Sequence, residues 1–204
     1  FTPDVFLTDK DLCLGDSILL NSIEDSVFTY QWSPAYMLDC DTCAKATSKT
    51  DSTIQYILDV YHIPGCEFSD TMAVNVFDIP IVNLGPDTSF CYGESITLNT
   101  NGNPAYAWSW NNPNGLSCTN CVSPVASPGG NNFYIAKAEI AQCEAYDSIF
   151  LTILPLPNTN AGPNQSICLN DSIELNGSGA DSLKWSPSTF LNDSNNSTTW
   201  AHPT

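Results

Sequence analysis

Cys13-Leu14-Gly15-Asp16-Ser17-Ile18-Leu19-Leu20 returns further along the chain as Cys91-Tyr92-Gly93-Glu94-Ser95-Ile96-Thr97-Leu98. It returns once more as Cys168-Leu169-Asn170-Asp171-Ser172-Ile173-Glu174-Leu175, and the two intervals differ by a single position. Each copy carries a cysteine, a turn residue (Gly or Asn), an acid, Ser-Ile, and an apolar residue two positions after the isoleucine. That order reads as a turn feeding a β-strand with alternating faces. A near-constant period of this size marks tandem modules, so the three copies decide the fold.

The same succession of strands follows each turn. In the first copy the alternation predicts strands at Val5–Leu7, Ser17–Leu20, Phe28–Trp32, Thr53–Tyr61 and Asp70–Phe77. In the second it predicts Ile81–Leu84, Ser95–Leu98, Tyr106–Trp110, Asn132–Ile140 and Asp147–Ile153. Trp32 and Trp110 stand at the same spacing after the organising cysteine of their copy. Each also stands at the same spacing before a Cys-x-x-Cys loop, Cys40/Cys43 and Cys118/Cys121. Leu38, Leu116 and Leu191 each lie at one shared offset after a tryptophan, the third being Trp185. Cys66-Glu-x-x-Asp70-Thr-Met matches Cys143-Glu-x-x-Asp147-Ser-Ile. In the third copy Thr198–Trp200 is expected to begin the long strand.

No segment has a sustained 3.6-residue apolar period, so helix should be minimal. Short strands, frequent turns and a recurring core tryptophan (Trp32, Trp110, Trp185) predict an all-β chain of tandem immunoglobulin-like β-sandwich repeats, the third incomplete. The repeats are expected at 1–79, 80–156 and 157–204, with the parent chain continuing. The joints around Pro80 and Leu154-Pro-Leu-Pro157 are short and proline-containing, which favours an extended, stiff arrangement.

Charge excludes some functions. There are 22 acids against five lysines and no arginine, a net charge of −17. Nucleic-acid binding needs a cationic footprint, as does an anionic membrane surface, so neither is expected as a partner. No apolar run is long enough to cross a membrane as a helix. No cofactor is required. Carboxylates are ligands that Ca²⁺ prefers, which makes Asp39, Asp41 and Asp78 the candidates if an ion is bound.

Nine cysteines in such a chain point to an oxidising, extracellular compartment. The third copy has Asp193-Ser-Asn-Asn196 where Cys-x-x-Cys would fall, so both loop cysteines are lost together. Pairing of Cys40 with Cys43, and of Cys118 with Cys121, leaves no orphan from that loss. Cys13 would then pair with Cys66 and Cys91 with Cys143, while Cys168 finds no partner within the chain. The alternative is crossed pairing of the loop cysteines with Cys13 or Cys66, and sequence alone does not decide. A zinc site would need two distant Cys-x-x-Cys pairs to meet, and a redox motif would need a βαβ setting that is not visible.

The run Cys-x-[Gly/Asn]-[Asp/Glu]-Ser-Ile-x-Leu, then Trp-Ser-Pro (at Trp32 and Trp185; Trp110 is followed by Asn-Asn), then Tyr-x-[Leu/Ala] and a closing cysteine strand, resembles a known family. It is similar to the Ig-like and PKD-like tandem repeats of large secreted Bacteroidota surface proteins, the gliding-motility adhesins and type IX secretion cargo. The resemblance implies a cell-surface location and transfers no catalytic residue. It also implies O-glycosylation at Asp-[Ser/Thr] followed by an apolar residue or Thr, here Ser17, Ser26, Ser52, Thr71, Ser148, Ser172 and Ser182. The plainer reading is that Asp-Ser before an apolar residue is how a turn enters a strand.

Catalytic signatures are missing. The histidines are His62 and His202, and no nucleophile elbow, phosphate loop or dinucleotide fingerprint is present. The expected function is therefore non-enzymatic: a disulfide-stapled segment of an extracellular stalk, filament or adhesin. Its partners would be neighbouring repeats of the same longer chain, and other surface proteins or glycans. The alternatives are a glycan-binding module, with Trp108, Tyr36 and Tyr92 as surface aromatics, or the non-catalytic stalk of a secreted enzyme.

Overall fold

The computed structural model describes residues 7–22, 24–62 and 65–204. Val5 and Phe6 of the expected first strand lie outside the described residues, as do Ile63 and Pro64 of the first hairpin turn. No helix occurs among the described residues. The first sandwich consists of β1 (Lys10–Cys13), β2 (Ile18–Asn21), β3 (Phe28–Ser33), β4 (Lys45–Ser48), β5 (Ile54–His62) and β6 (Cys66–Phe77). Its larger sheet has the order β1-β6-β5-β3, and β2-β4 is the smaller. The second sandwich repeats the plan with β7 (Thr88–Cys91), β8 (Ile96–Thr97), β9 (Ala107–Trp110), β10 (Val125–Ala126), β11 (Asn132–Ile140) and β12 (Cys143–Leu154). Its sheets are β7-β12-β11-β9 and β8-β10.

Alternation explains the long strands. On β5, Tyr56, Leu58 and Val60 face inward while Ile57 and Tyr61 are exposed. On β11, Tyr134, Ala136 and Ala138 do the same. Trp32, Leu12, Leu20, Met72 and Val74 complete the first core; Trp108, Trp110, Leu98, Ile149 and Leu151 complete the second. β5 and β6 form an antiparallel hairpin from His62↔Cys66 to Ile54↔Val74. β1 then lies parallel to the far end of β6, from Lys10↔Val74 to Cys13↔Phe77.

The organising stretch is the turn that ends β1 and β7. Asp16 N bonds Cys13 O at 2.9 Å, Glu94 N bonds Cys91 O at 3.1 Å and Asp171 N bonds Cys168 O at 3.1 Å. The third residue of each has positive φ: 96° at Gly15, 89° at Gly93 and 66° at Asn170. Gly and Asn tolerate that region best, which explains the restricted choice.

Three expectations are corrected. Ile81–Leu84 is not a strand; its backbone is taken by Asn83 N→Thr100 O and by the Asp147 carboxylate, which accepts from Leu84 N. The strand there is β7, at Thr88–Cys91. The stretch between the expected strands Phe28–Trp32 and Thr53–Tyr61, where no strand is expected, contains β4, whose inward residues Ala46 and Ser48 are too small to register as an apolar pattern. Finally, Thr198–Trp200 does not begin the long strand.

That segment belongs to the second compact unit, Leu154–Thr204. There β13 (Ile173–Asn176) pairs antiparallel with β14 (Thr198–Ala201), from Ile173↔Ala201 to Asn176↔Thr198. The bridge Leu191↔Ala201 matches Leu38↔Ser48 and Leu116↔Ala126. β14 is therefore the counterpart of β4 and β10. Aligned by Trp110 and Trp185, the sequence of this copy ends opposite Gly129, before the long strand.

Candidate functional site

The tryptophans and the loops that follow them form one clasp, built three times. Trp32 donates its indole Nε1–H to Cys43 O (2.8 Å), Trp110 to Cys121 O (2.9 Å) and Trp185 to Asn196 O (2.9 Å). The backbone N–H of each tryptophan goes to the residue after the loop's first position: Trp32 N→Asp41 O, Trp110 N→Thr119 O and Trp185 N→Ser194 O. A donor buried without an acceptor costs about 1–3 kcal/mol, so the loop satisfies both. Cys40–Cys43 and Cys118–Cys121 are disulfides, so the loop is a short ring that aims two carbonyls at the tryptophan. In the third copy an Asx turn, Asn195 N→Asp193 Oδ1 (2.9 Å), shapes the same loop without sulfur. Trp32 and Trp110 are buried; Trp185 is only partly so.

A second set of polar ties is duplicated. Tyr56 donates its hydroxyl to Tyr36 O (2.8 Å), and Tyr134 to Asn114 O (2.6 Å). Burial pushes both phenols above the ordinary tyrosine range, so they stay neutral donors. Asp70 accepts from Leu7 N and Asp147 from Leu84 N. Likewise Asp9 accepts from Ala73 N and Asp87 from Phe150 N, all at 2.8–2.9 Å. The acids that open the Asp-Thr and Asp-Ser motifs thus anchor the chain that leads into the first strand.

The long-range cysteines do not pair within each copy. Cys13 is bonded to Cys143, with 5.5 Å between Cα atoms, and Cys66, Cys91 and Cys168 are free. The expected pairs Cys13–Cys66 and Cys91–Cys143 are corrected, and the reason is strand length. Cys13 stands opposite Phe77 at one end of β6, and Cys66 begins that strand at the other end. At about 3.3 Å per residue the two are on the order of 35 Å apart, whereas a disulfide needs Cα atoms within about 7 Å. The same holds for Cys91 and Cys143, since the Phe150 N→Asp87 bond sets β7 against the far half of β12. The clue in the sequence is the length of the closing strands, which begin at Cys66 and Cys143 and not, as the alternation suggests, at Asp70 and Asp147.

The Cys13–Cys143 bond joins the two sandwiches. The β11–β12 turn reaches β1, where Gln142 Nε2 also donates to Asp11 O. Cys143 is 1 % exposed. Beside the joint lies a cleft of about 490 Å³ lined by Leu14, Asp78, Ile79, Ile81, Asn101 and Tyr106. It is apolar for the most part and holds no cluster of reactive side chains.

The remaining candidates fall as follows. Trp108 is corrected from a surface aromatic to a core residue: it is 6 % exposed and donates to Asn103 O. A Cβ at Gly102 would stand 2.4 Å from its ring, so glycine makes room for it. Tyr36 and Tyr92 are exposed. Asp39 Oδ1 accepts from Thr47 N at 2.6 Å, which holds its carboxyl below the usual range. Asp41 is engaged by Gln31, and Asp78 lines the cleft. Among the described residues no three His, Cys, Asp or Glu side chains converge to hold a metal. Ser17, Ser26, Ser52, Thr71, Ser148, Ser172 and Ser182 are all exposed.

The chain matches no family model and no curated protein. It is similar in fold to two solved structures of titin domains. One is an I-band fragment, at 15 % identity and TM-score 0.53, covering 98 % of this chain and 87 % of that one. The other is a three-Ig structure carrying an E-to-A change, at 14 % identity and TM-score 0.53 with the same coverage. Likeness at this identity speaks to fold alone. The chain is all-β and built of tandem immunoglobulin-like sandwiches.

Proposed function

We propose that this chain is a non-catalytic structural segment of an extracellular stalk or filament, in which repeats at 1–79, 80–156 and 157–204 act as spacers. The observation that carries it is the Cys13–Cys143 bond. A crosslink between two separately cored sandwiches adds no site; it fixes their connection. Tension applied at the two ends of the chain passes across this bond and bypasses the residues between its cysteines. The three disulfides also support an oxidising, extracellular setting, and the motif resemblance supports a surface protein of the adhesin or type IX cargo kind. Exposure of the seven Asp-linked hydroxyls supports them as sites for glycan attachment. Neighbouring repeats are the partners this reading calls for.

Single-molecule pulling from the two termini tests it. The 130-residue separation of Cys13 and Cys143 is hidden from extension while the bond is intact. Full unfolding under reductant should therefore release an additional length on the order of 450 Å, at roughly 3.5 Å per residue. Equal extension with and without reductant would show that the bond carries no tension, and the spacer reading would fall.

A further inference from the structure

Three thiols remain, and each has a bonded counterpart. Cys66 aligns with Cys143, and Cys91 and Cys168 align with Cys13. The local settings match as well. Cys91 ends β7 as Cys13 ends β1, each followed by the same positive-φ turn. Cys66 begins β6 opposite His62, as Cys143 begins β12 opposite Ile140. One difference separates the members of the second pair: Cys143, which has its partner, is buried, and Cys66, which has none, is exposed.

We infer that the cysteines pair one repeat out of step, the organising cysteine of each copy bonding the hairpin cysteine of the next. This rests on reading the chain as a run of structural repeats. Cys91 is then the acceptor for the hairpin cysteine of a completed third copy, Cys168 for that of a fourth, and Cys66 for the organising cysteine of a copy ahead of the first. Each bond forms by exchange with an oxidised protein disulfide of the oxidoreductase class. One repeat's thiolate attacks the oxidant's S–S bond to give a mixed disulfide, and the other thiolate displaces it. The inter-repeat S–S bond takes its place, and the oxidant leaves as a dithiol carrying the two electrons and two protons.

Out-of-step pairing threads two interleaved covalent paths along such an array. One crosses from Cys13 to Cys143, follows the backbone on to Cys168 and crosses again. The other follows the backbone from Cys66 to Cys91 and then crosses. The stretch from each organising cysteine to the hairpin cysteine of its own copy lies on neither path. Most of every sandwich is thereby spared from tension, and only closing strand, joint and first strand carry it. Pairing within each copy would leave every joint as the sole connection.

The test extends the full chain after Thr204 with a second copy of residues 130–156, which continue the third copy in register because Thr204 aligns with Gly129. Thiols are alkylated without reduction after oxidative export, and peptides are mapped. Cys91, fully alkylated in the unextended chain, should become protected and crosslinked to the appended hairpin cysteine, with Cys66 and Cys168 still alkylated. An appended cysteine bonded to Cys168, or Cys91 bonded to Cys143, overturns the proposal. Should the appended segment fail to fold, the same map of the protein secreted by its own source decides between the same outcomes. Cys91 found there as a free thiol, or joined within its own copy, also overturns it. Neither result bears on tension across Cys13–Cys143, which the pulling experiment reads separately.

Discussion

The two kinds of disulfide in this chain do opposite work. Cys40–Cys43 and Cys118–Cys121 each close a sequence separation of 3 and crosslink no separate elements. Cys13–Cys143 closes a separation of 130 and joins two cores. On chain entropy alone, a four-residue ring is worth about 2 kcal/mol and a closed loop of the longer size about 5 kcal/mol. The short rings are accordingly better understood by what they hold: two carbonyls aimed at a tryptophan. The third copy bears out that division of labour, since the Asn195 N–H to Asp193 carboxylate bond shapes the loop there and the Asn196 carbonyl still meets the Trp185 indole. Sulfur is replaceable where it shapes a turn. Between sandwiches, no hydrogen-bonded substitute would hold under tension.

Breaking the long bond should have the largest effect. The double replacement Cys13→Ser with Cys143→Ser is expected to lower stability by up to about 5 kcal/mol, less if one sandwich stays folded while the other opens and shortens the effective loop. Guanidinium titration should then resolve two transitions where the bonded chain shows a more cooperative one. An unchanged midpoint and a single transition would mean that the sandwiches are coupled by packing at the joint and not by the bond.

The tryptophans come next. Trp32→Ala should cost about 3–5 kcal/mol, the range for deleting a buried aromatic. Trp185→Ala should cost less, on the order of 1–2 kcal/mol, because its ring is only partly buried although its indole makes the same hydrogen bond. Thermal melts of the two variants, followed by near-ultraviolet circular dichroism, check this. Equal losses would mean that the hydrogen bond, and not burial, sets the value of the clasp.

Most of this architecture is legible in the sequence because it repeats. Three copies separate the tryptophans that belong to the fold from residues without counterparts, and the alternation over Asn132–Ile140 marks the limits of β11 to the residue. Small inward residues defeat the same method at β4, where Ala46 and Ser48 carry no hydrophobic signal. Trp108 reads as a surface residue because its counterpart is Tyr30, yet both sit in the core with their polar ends tied, Trp108 to Asn103 and Tyr30 to Asp25. A polar tip on an aromatic residue says little about burial when a nearby backbone group can take it. The staple is hidden for a different reason. Periodicity invites pairing within the period, whereas distance along β6 forbids it.

Exchanging a short ring for its sulfur-free counterpart should cost least. Cys118→Asp with Cys121→Asn installs in the second sandwich the residues that the third copy carries at Asp193 and Asn196. Loss of the ring costs up to about 2 kcal/mol of unfolded-chain constraint, and the Asx hydrogen bond returns about 1 kcal/mol. The net loss should be about 1 kcal/mol, read by chemical denaturation. The near-ultraviolet signal of Trp110 should persist, because its two acceptors are backbone carbonyls that any residue supplies. A Cys118→Ser, Cys121→Ser variant lacks both ring and Asx turn and should fall below it. If the Asp/Asn variant instead lost as much as the long-bond variant, the short ring would be a structural staple in its own right, and the third copy's hydrogen bond would not be its equivalent.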